Sequence, residues 1–184
     1  MESNLTHEYE GLLFDLRRSV RYHNRRRAFF DRLDQMTNVF SLVFGSSAIY
    51  GVLSKAGGND NWAMLSAAVV TIFSALNLVV GSSRRAREHF DFARKFFELE
   101  QKLISIPEVS EIVLREITVE RLSIEKDEPP VLRVLDSICY NDQLLSMGYP
   151  TDQMVVIGFW QRQFSQFMDF RADKLRKIQD VGQT

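Results

Sequence analysis

The chain of 184 residues has few of the residues that build common catalytic and metal sites. A single cysteine, Cys139, excludes an intramolecular disulfide framework and any zinc site with several cysteines. The three histidines lack metal-ligand spacing, and the sequence contains no glycine-rich phosphate loop and no G-x-S-x-G elbow. Lys plus Arg is 23 against 24 Asp plus Glu, so bulk nucleic-acid binding is not indicated. We therefore expect no catalytic, metal or cofactor site, no enzyme activity and no nucleic-acid partner.

Charge is missing from two long windows of the chain. Residues 35–54 and 61–83 contain no Asp, Glu, Lys or Arg. A helix of roughly 20 mainly apolar residues crosses the ~30 Å hydrocarbon core of a bilayer. The alternative is a buried hairpin at the centre of a soluble bundle, but a soluble helix normally keeps one polar face. The sequence therefore predicts two transmembrane helices, 36–54 and 62–81, joined by an external turn at 55–61.

Basic residues flank both windows on one side only. Residues 1–35 contain seven arginines and residues 82–104 contain four arginines and two lysines, whereas the turn has Lys55 alone. Cations accumulate on the cytoplasmic side of spans, so both termini are expected in the cytoplasm. The arginines nearest the spans are predicted to form ion pairs between helices, with anionic lipid or a ligand as the alternative contact. They are Arg25, Arg26, Arg27, Arg84, Arg85 and Arg87.

Apolar periodicity extends both predicted spans into the cytoplasm. A stripe from Leu5 to Val20 recurs every three or four residues, and no proline interrupts residues 1–106. The first helix is thus expected from about Leu5 to Ser54. A second seam of Phe92, Phe96, Leu99 and Leu103 follows the second window. We predict an antiparallel stem of residues 1–35 and 82–104, in which residue i lies level with residue 116 − i, so that Arg25 faces Asp91.

Prolines and glycines divide residues 105–184, which we expect to form further cytosolic helices. Pro107 marks a break, and Ser105 with Glu108 is a weak capping-box match for the next helix. Residues 131–147 are interpreted as a helix, and a last helix is expected from Thr151 or Asp152 to about Ile178. The predicted fold is therefore an all-α membrane protein: a two-span hairpin, a cytosolic antiparallel stem and C-terminal cytosolic helices.

Polar and small residues inside the predicted spans are the candidate functional positions. Small-residue stripes let helices approach closely. Three explanations stay open, namely packing inside one hairpin, contact between copies, and the lining of an aqueous path. Two helices are too thin to enclose a pore, so a channel requires a homo-oligomer. The candidates are Asn38, Ser47, Gly51, Ala67, Thr71, Ala75 and Asn77.

Short motifs in a fixed order resemble a known family. They are Tyr22-His23-x-x-Arg26-x-x-Phe29-Phe30, Asn77-Leu-Val-Val-Gly81, Ala86 with His89, and Cys139-Tyr140-Asn141. Together with the two spans, they resemble the SLATT family of two-transmembrane effector domains that associate with SMODS and SLOG proteins in bacterial conflict systems. The resemblance covers roughly residues 10–150, and residues 151–184 have no counterpart in it.

The resemblance implies a multi-pass protein of the bacterial inner membrane that acts as an effector in antiphage defence. Such an effector is expected to oligomerise and to open a pore or depolarise the membrane. A nucleotide synthase or nucleotide-sensor protein of the same system is the implied partner, because this sequence contains neither domain. A passive membrane anchor or scaffold that recruits a cytosolic complex is the alternative function.

Overall fold

The protein is described here by a computed structural model that covers the backbone of residues 2–53 and 60–181. Side chains are described within these ranges except at 2, 3, 47, 48, 50–53, 60–63, 76, 77 and 181. Five helices come first: α1 Glu2–Leu53, α2 Asp60–Val80, α3 Ser82–Ile104, α4 Glu111–Glu125 and α5 Arg133–Ser146. Short elements follow: a 3-10 turn Thr151–Gln153, β1 Val155–Val156, α6 Phe159–Phe164, a 3-10 turn Ala172–Lys174, β2 Arg176–Lys177 and α7 Ile178–Val181.

The chain divides into two compact units, and both are mainly helical, as the sequence predicted. Unit 1 comprises the described residues of Met1–Arg26 and His89–Thr184, and unit 2 is Arg27–Glu88. The prediction of one continuous first helix is confirmed, because α1 runs without a break to Leu53. A glycine separates α2 from α3: Gly81 has φ +61°, a left-handed conformation that glycine adopts without steric cost.

The core of unit 1 follows the two predicted apolar stripes. Side chains of α1, α3 and α4 meet in one cluster, and the stripe of α1 and the seam of α3 supply most of it. Helices α1 and α4 are also joined by a 2.7 Å ion pair between Arg121 and Asp15. The prediction that these stripes form a packed stem is therefore confirmed within unit 1. The buried members are Leu12, Leu13, Leu16, Phe96, Leu99, Leu103, Leu114 and Ile117.

The predicted ion pair between Arg25 and Asp91 is wrong. Arg25 pairs with Asp142 of α5, and Asp91 pairs with Arg94 one turn along its own helix. The register argument considered two helices only. It omitted α5, which presents a carboxylate to α1 and satisfies the guanidinium there.

Two predictions about residues 105–184 are also wrong. Helix α4 begins at Glu111, four residues after Pro107, and is capped by Ser110, whose side chain accepts a hydrogen bond from the backbone N–H of Val113 at 3.4 Å. The segment expected as one last helix instead holds an antiparallel pair of strands in which Val155 faces Lys177. Asn141 bonds both the N–H and the carbonyl of Val155, at 2.8 and 2.7 Å, so those groups are not free to join a helix.

Unit 2 contains the two charge-free windows, and here α1 and α2 are in contact. The rings of Phe40 and Phe73 lie 5.2 Å apart between centroids. Among the described residues, one helical stretch, Met64–Ile104, is long and apolar enough to cross a membrane, and none of its apolar window is buried. Two spans are therefore not shown for the described part of the chain. The expected external turn lies largely outside the described residues, since 54–59 are not part of them.

Candidate functional site

A polar groove of about 390 Å³ lies in unit 2, where the charge-free windows give way to charged sequence. Helix α1 supplies four polar side chains, and α2 supplies Ser74 and Leu78. The segment from Gly81 to Arg84 completes the wall. Oxygen atoms therefore dominate the polar lining. The four residues from α1 are Asp34, Thr37, Asn38 and Ser41.

Hydrogen bonds account for some of the polar groups in this groove. Asn38 Nδ2 donates to Asp34 Oδ2 at 3.2 Å, one helical turn back. Thr37 is buried and donates to the carbonyl of Leu33 at 2.8 Å. Ser82 is only 1% exposed, and its Oγ has no hydrogen-bond partner among the described residues. A buried hydroxyl without a partner costs about 1–3 kcal/mol, so this position favours a bound water or another polar group.

Only part of the candidate set for the pore or oligomer interface has described side chains. Asn38 lines the groove, but the side chains of Asn77, Ser47 and Gly51 lie outside the described residues. The role of Asn38 in a pore therefore stays a prediction.

The small-residue stripe on α2 faces outward. Ala67, Thr71 and Ala75 are all exposed in the single chain. The hydroxyl of Thr71 donates to the carbonyl of Ala67 at 2.9 Å, so it is satisfied within its own helix. Packing inside one hairpin therefore does not explain these three positions, and their surface is available to lipid or to another copy.

Most of the six candidate arginines have partners inside their own unit. In unit 1, Arg25 pairs with Asp142, and Arg26 Nη1 donates to the backbone carbonyl of Gln166 at 2.6 Å. In unit 2, ion pairs join Arg27 to Asp31 at 3.4 Å and Arg84 to Glu88 at 3.6 Å. The guanidinium of Arg85 lies 5.7 Å from the ring centroid of Phe30, and Arg87 is exposed. The ion pair of Arg25 joins two helices, as predicted for this set, whereas the ion pairs of Arg27 and Arg84 lie within their own helices.

Unit 1 also holds a buried histidine network that the sequence analysis missed. His23 Nδ1 lies 2.9 Å from His89 Nδ1, and His23 Nε2 lies 3.1 Å from Glu128 Oε1. The ring of His23 stacks on Phe92 and Phe96, with centroids 5.2 and 5.7 Å apart. Both histidines are almost fully buried. The network therefore joins α1, α3 and the segment after α4 through polar contacts.

The geometry of this network restricts where its protons lie. A hydrogen bond between two Nδ1 atoms has one proton between them. If His23 is neutral and donates Nε2–H to Glu128, its Nδ1 accepts and His89 donates. If His23 is protonated, it donates to both partners, so the trio holds one extra proton without losing a bond. Among the residues that the structure describes, no group of three His, Cys, Asp or Glu is arranged for a metal ion.

A signal for the histidine pair exists in the sequence. His89 continues the α3 seam one turn before Phe92 and two turns before Phe96, and His23 continues the α1 stripe beyond Leu16. Both positions therefore belong to the facing stripes of the stem. Glu128 lies three residues after Glu125, where α4 ends, and no local pattern predicts that its side chain contacts His23 of α1.

Burial changes the acid–base properties of three nearby groups in unit 1. Desolvation raises the pKa of Cys139 to about 12. It also raises the pKa of Tyr22, whose hydroxyl accepts a hydrogen bond from Leu132 N at 3.0 Å, and the pKa of Asp136. Cys139 is thus a buried core residue whose raised pKa disfavours the thiolate, the form that reacts with thiol reagents.

Comparison of the chain with family models, with curated proteins and with solved structures finds no match. The resemblance to the SLATT family therefore stays a prediction from the sequence motifs.

Proposed function

We propose that this protein is an effector of a bacterial antiphage conflict system that lies in the inner membrane and acts there as a homo-oligomer. Its action would be to open a pore or to depolarise the membrane. One observation carries the proposal, namely that the apolar side chains of unit 2 point outward. Leu78 is 85% exposed, Val79 82% and Leu42 73%.

An outward apolar surface on two charge-free helices suits hydrocarbon better than water. Apolar surface in contact with water costs roughly 25 cal/mol per Å², a cost that lipid removes. Hydroxyl groups of both helices bond to their own backbones: Ser46 donates to the carbonyl of Leu42 at 2.7 Å, as Thr71 does to Ala67. Such internal satisfaction is required where no water is available.

The polar groove and the outward small-residue stripe support assembly and conduction. Close approach of copies along Ala67, Thr71 and Ala75 would build a ring in which polar residues such as Asn38 line a path. The trigger would come from another chain or a diffusible ligand, and the resemblance points to a nucleotide synthase or sensor of the same system. A passive scaffold is the second candidate, favoured by the net acidic composition of residues 105–184 with 13 anions and nine cations.

Cysteine labelling tests the membrane topology. In intact cells, an impermeant thiol reagent is expected to label Asn59→Cys and to leave Ser3→Cys and Gln183→Cys unlabelled. The native protein provides a clean background, because Cys139 is buried and its pKa is raised to about 12. Labelling of either terminal cysteine from outside would contradict the orientation.

Leucine substitutions test the pore. Asn38→Leu and Asn77→Leu proteins are expected to insert and assemble normally but to lose depolarisation, reported by a potential-sensitive dye, because an apolar constriction loses water. Asn24→Leu is the matched control, since Asn24 is exposed on α1 within unit 1. If both variants depolarise cells like the parent at equal expression, the scaffold function is favoured instead.

A further inference from the structure

Unit 1 carries an exposed aromatic surface in its last third. Phe159 is 67% exposed and Trp160 61%, and Phe164, Phe167 and Met168 are exposed as well. We name these five residues the aromatic surface. None of them belongs to the charge-free windows or to the polar groove. Several large exposed apolar side chains within ten residues of sequence are typical of an interaction surface.

Ring contacts connect three members of this surface, Phe159, Trp160 and Phe164, and link them to a cation. The ring of Trp160 contacts that of Phe159 at 5.4 Å and stacks on Phe164 at 6.0 Å. Phe164 in turn lies 6.0 Å from Phe170, and the guanidinium of Arg171 lies 5.5 Å from the Phe170 ring. Aromatic rings followed by a basic group therefore form one connected array.

The surface is held by buried polar contacts. Gln161 is buried; its Oε1 accepts from Gly158 N at 2.8 Å and its Nε2 donates to the carbonyl of Arg171 at 2.9 Å. Arg171 has φ +50°, an uncommon conformation for a residue with a side chain. Asp169 accepts from Val134 N at 3.1 Å and fixes the segment to the start of α5. The exposed rings are thus presented by an ordered framework.

The length of the chain limits how far this surface can lie from the first charge-free window. Arg26 donates to the carbonyl of Gln166, between Phe164 and Phe167. Arg26 is ten residues from Met36 in the sequence, so even a fully extended chain would separate them by no more than about 36 Å. With residues 36–54 spanning a membrane as proposed, this connection is short enough for the aromatic surface to reach the bilayer surface.

The charge of the segment favours an anionic surface. Residues 159–178 contain five cations and two anions. Tryptophan and phenylalanine beside Lys and Arg are typical of elements that lie in the headgroup region of a membrane. The cations are Arg162, Arg171, Lys174, Arg176 and Lys177.

We propose that the aromatic surface docks on the anionic headgroup region of the membrane in which unit 2 is embedded. Docking rests on the proposed membrane location, and it would hold unit 1 against the bilayer. The aromatic rings would enter the interfacial layer, while the cations would contact lipid phosphates. A second copy of this chain is the competing occupant, and the experiment distinguishes the two.

Two tryptophans, Trp62 and Trp160, allow the membrane location and the docking to be tested separately in the full chain. Trp62→Phe leaves Trp160 as the reporter of docking, and Trp160→Phe leaves Trp62 as the reporter of insertion. Each variant is reconstituted in nanodiscs of phosphatidylcholine with or without phosphatidylglycerol, containing lipids that carry a nitroxide quencher at a shallow or a deep position.

We expect Trp160 emission to shift to shorter wavelength and to be quenched more by the shallow than by the deep nitroxide in anionic discs. Arg162→Gln and Lys174→Gln, in the Trp62→Phe protein, should each weaken docking by about fivefold, because each change removes one of the cations attracted to the anionic surface. Glu120→Lys, an exposed change in α4, is the control and should leave Trp160 quenching unchanged.

Each contrary result has a distinct meaning. If Trp62 is quenched and Trp160 is not, the membrane location stands and the docking proposal is overturned. If Trp62 is not quenched, the proposed function fails first. If Trp160 is shielded from aqueous iodide but is not quenched by either lipid, the surface belongs to a second copy and the proposal is overturned. Equal quenching of Trp160 in neutral and anionic discs would overturn the preference for anionic lipid.

Discussion

In unit 1, Leu16, Phe96 and Leu103 are fully buried, whereas in unit 2 Leu42, Leu78 and Val79 are among the most exposed side chains. Helix α1 contributes to both units, so one continuous helix has buried apolar side chains in unit 1 and exposed ones in unit 2. The residue types are similar, but the pattern differs, since the first part of α1 has one apolar stripe and the later part has apolar residues all round. This contrast is the observation on which the proposed membrane location of unit 2 rests.

Ion pairs differ between the units in their span along the chain. In unit 1, Arg17 pairs with Glu100, 83 residues away, at 2.7 Å. In unit 2, the ion pairs of Arg27 with Asp31 and of Arg84 with Glu88 join residues one helical turn apart. Hydroxyl groups do not follow this difference, because they bond to the carbonyl four residues back both in unit 1, at Thr118, and in unit 2, at Thr71.

Alanine substitutions in the two units should have very different effects. Phe96→Ala removes a fully buried ring from unit 1 and is expected to lower the free energy of unfolding of unit 1 by about 3–5 kcal/mol. Leu78→Ala is expected to lower the free energy of unfolding of unit 2 by less than about 0.5 kcal/mol, because the residue is exposed. Hydrogen exchange in nanodiscs, of unit 1 amides for Phe96→Ala and of unit 2 amides for Leu78→Ala, measures the two losses, and equal losses would contradict the contrast.

The buried histidine network should give the next largest effect. His23→Phe keeps the stacking on Phe92 and Phe96 but leaves His89 and Glu128 without their bonds to His23, so a loss of about 1–3 kcal/mol is expected. The double variant His23→Phe, His89→Phe should lose less than the sum of the single variants, since both partners of one bond are then apolar. Glu120→Ala, which breaks the exposed pair with Lys102, is the control and should cost less than 1 kcal/mol.

A strictly additive double variant would show that His23 and His89 are not coupled. Unfolding of purified protein followed by urea titration, with one detergent for all variants, supplies the three free energies for the comparison.

Local periodicity was sufficient to predict the long helices and the part of the unit 1 core that α1 and α3 contribute. Leu12, Leu16 and Phe96 are buried because stripes repeating every three or four residues must face a partner. The C-terminal elements were not predictable in this way. Val155 is held extended by Asn141, fourteen residues earlier, and such a contact leaves no periodic signal around residue 155.

Contacts between residues far apart in the sequence also decide which site residues could be predicted. Asn38 was found because an amide in a charge-free window is unusual, and the structure places it in the polar groove. The partner of Arg25 was missed because it is contributed by α5, more than a hundred residues away. The aromatic surface was missed because residues 159–164 were interpreted as part of one last helix from Thr151 or Asp152 to about Ile178.

The smallest change in the free energy of folding is expected for substitutions in the small-residue stripe of α2. Such substitutions should nevertheless change the number of copies in the complex. Ala67→Leu adds a bulky side chain where close approach of helices depends on small residues, so we expect fewer copies per complex with the hairpin still inserted. Ala68→Leu is the matched control, because Ala68 is also exposed but points about 100° away around the helix axis. Lipid tails are as apolar as leucine, so neither change should disturb folding of the single chain. Native mass spectrometry from nanodiscs gives the copy number, and the same count for the parent and Ala67→Leu would show that this face contacts lipid only.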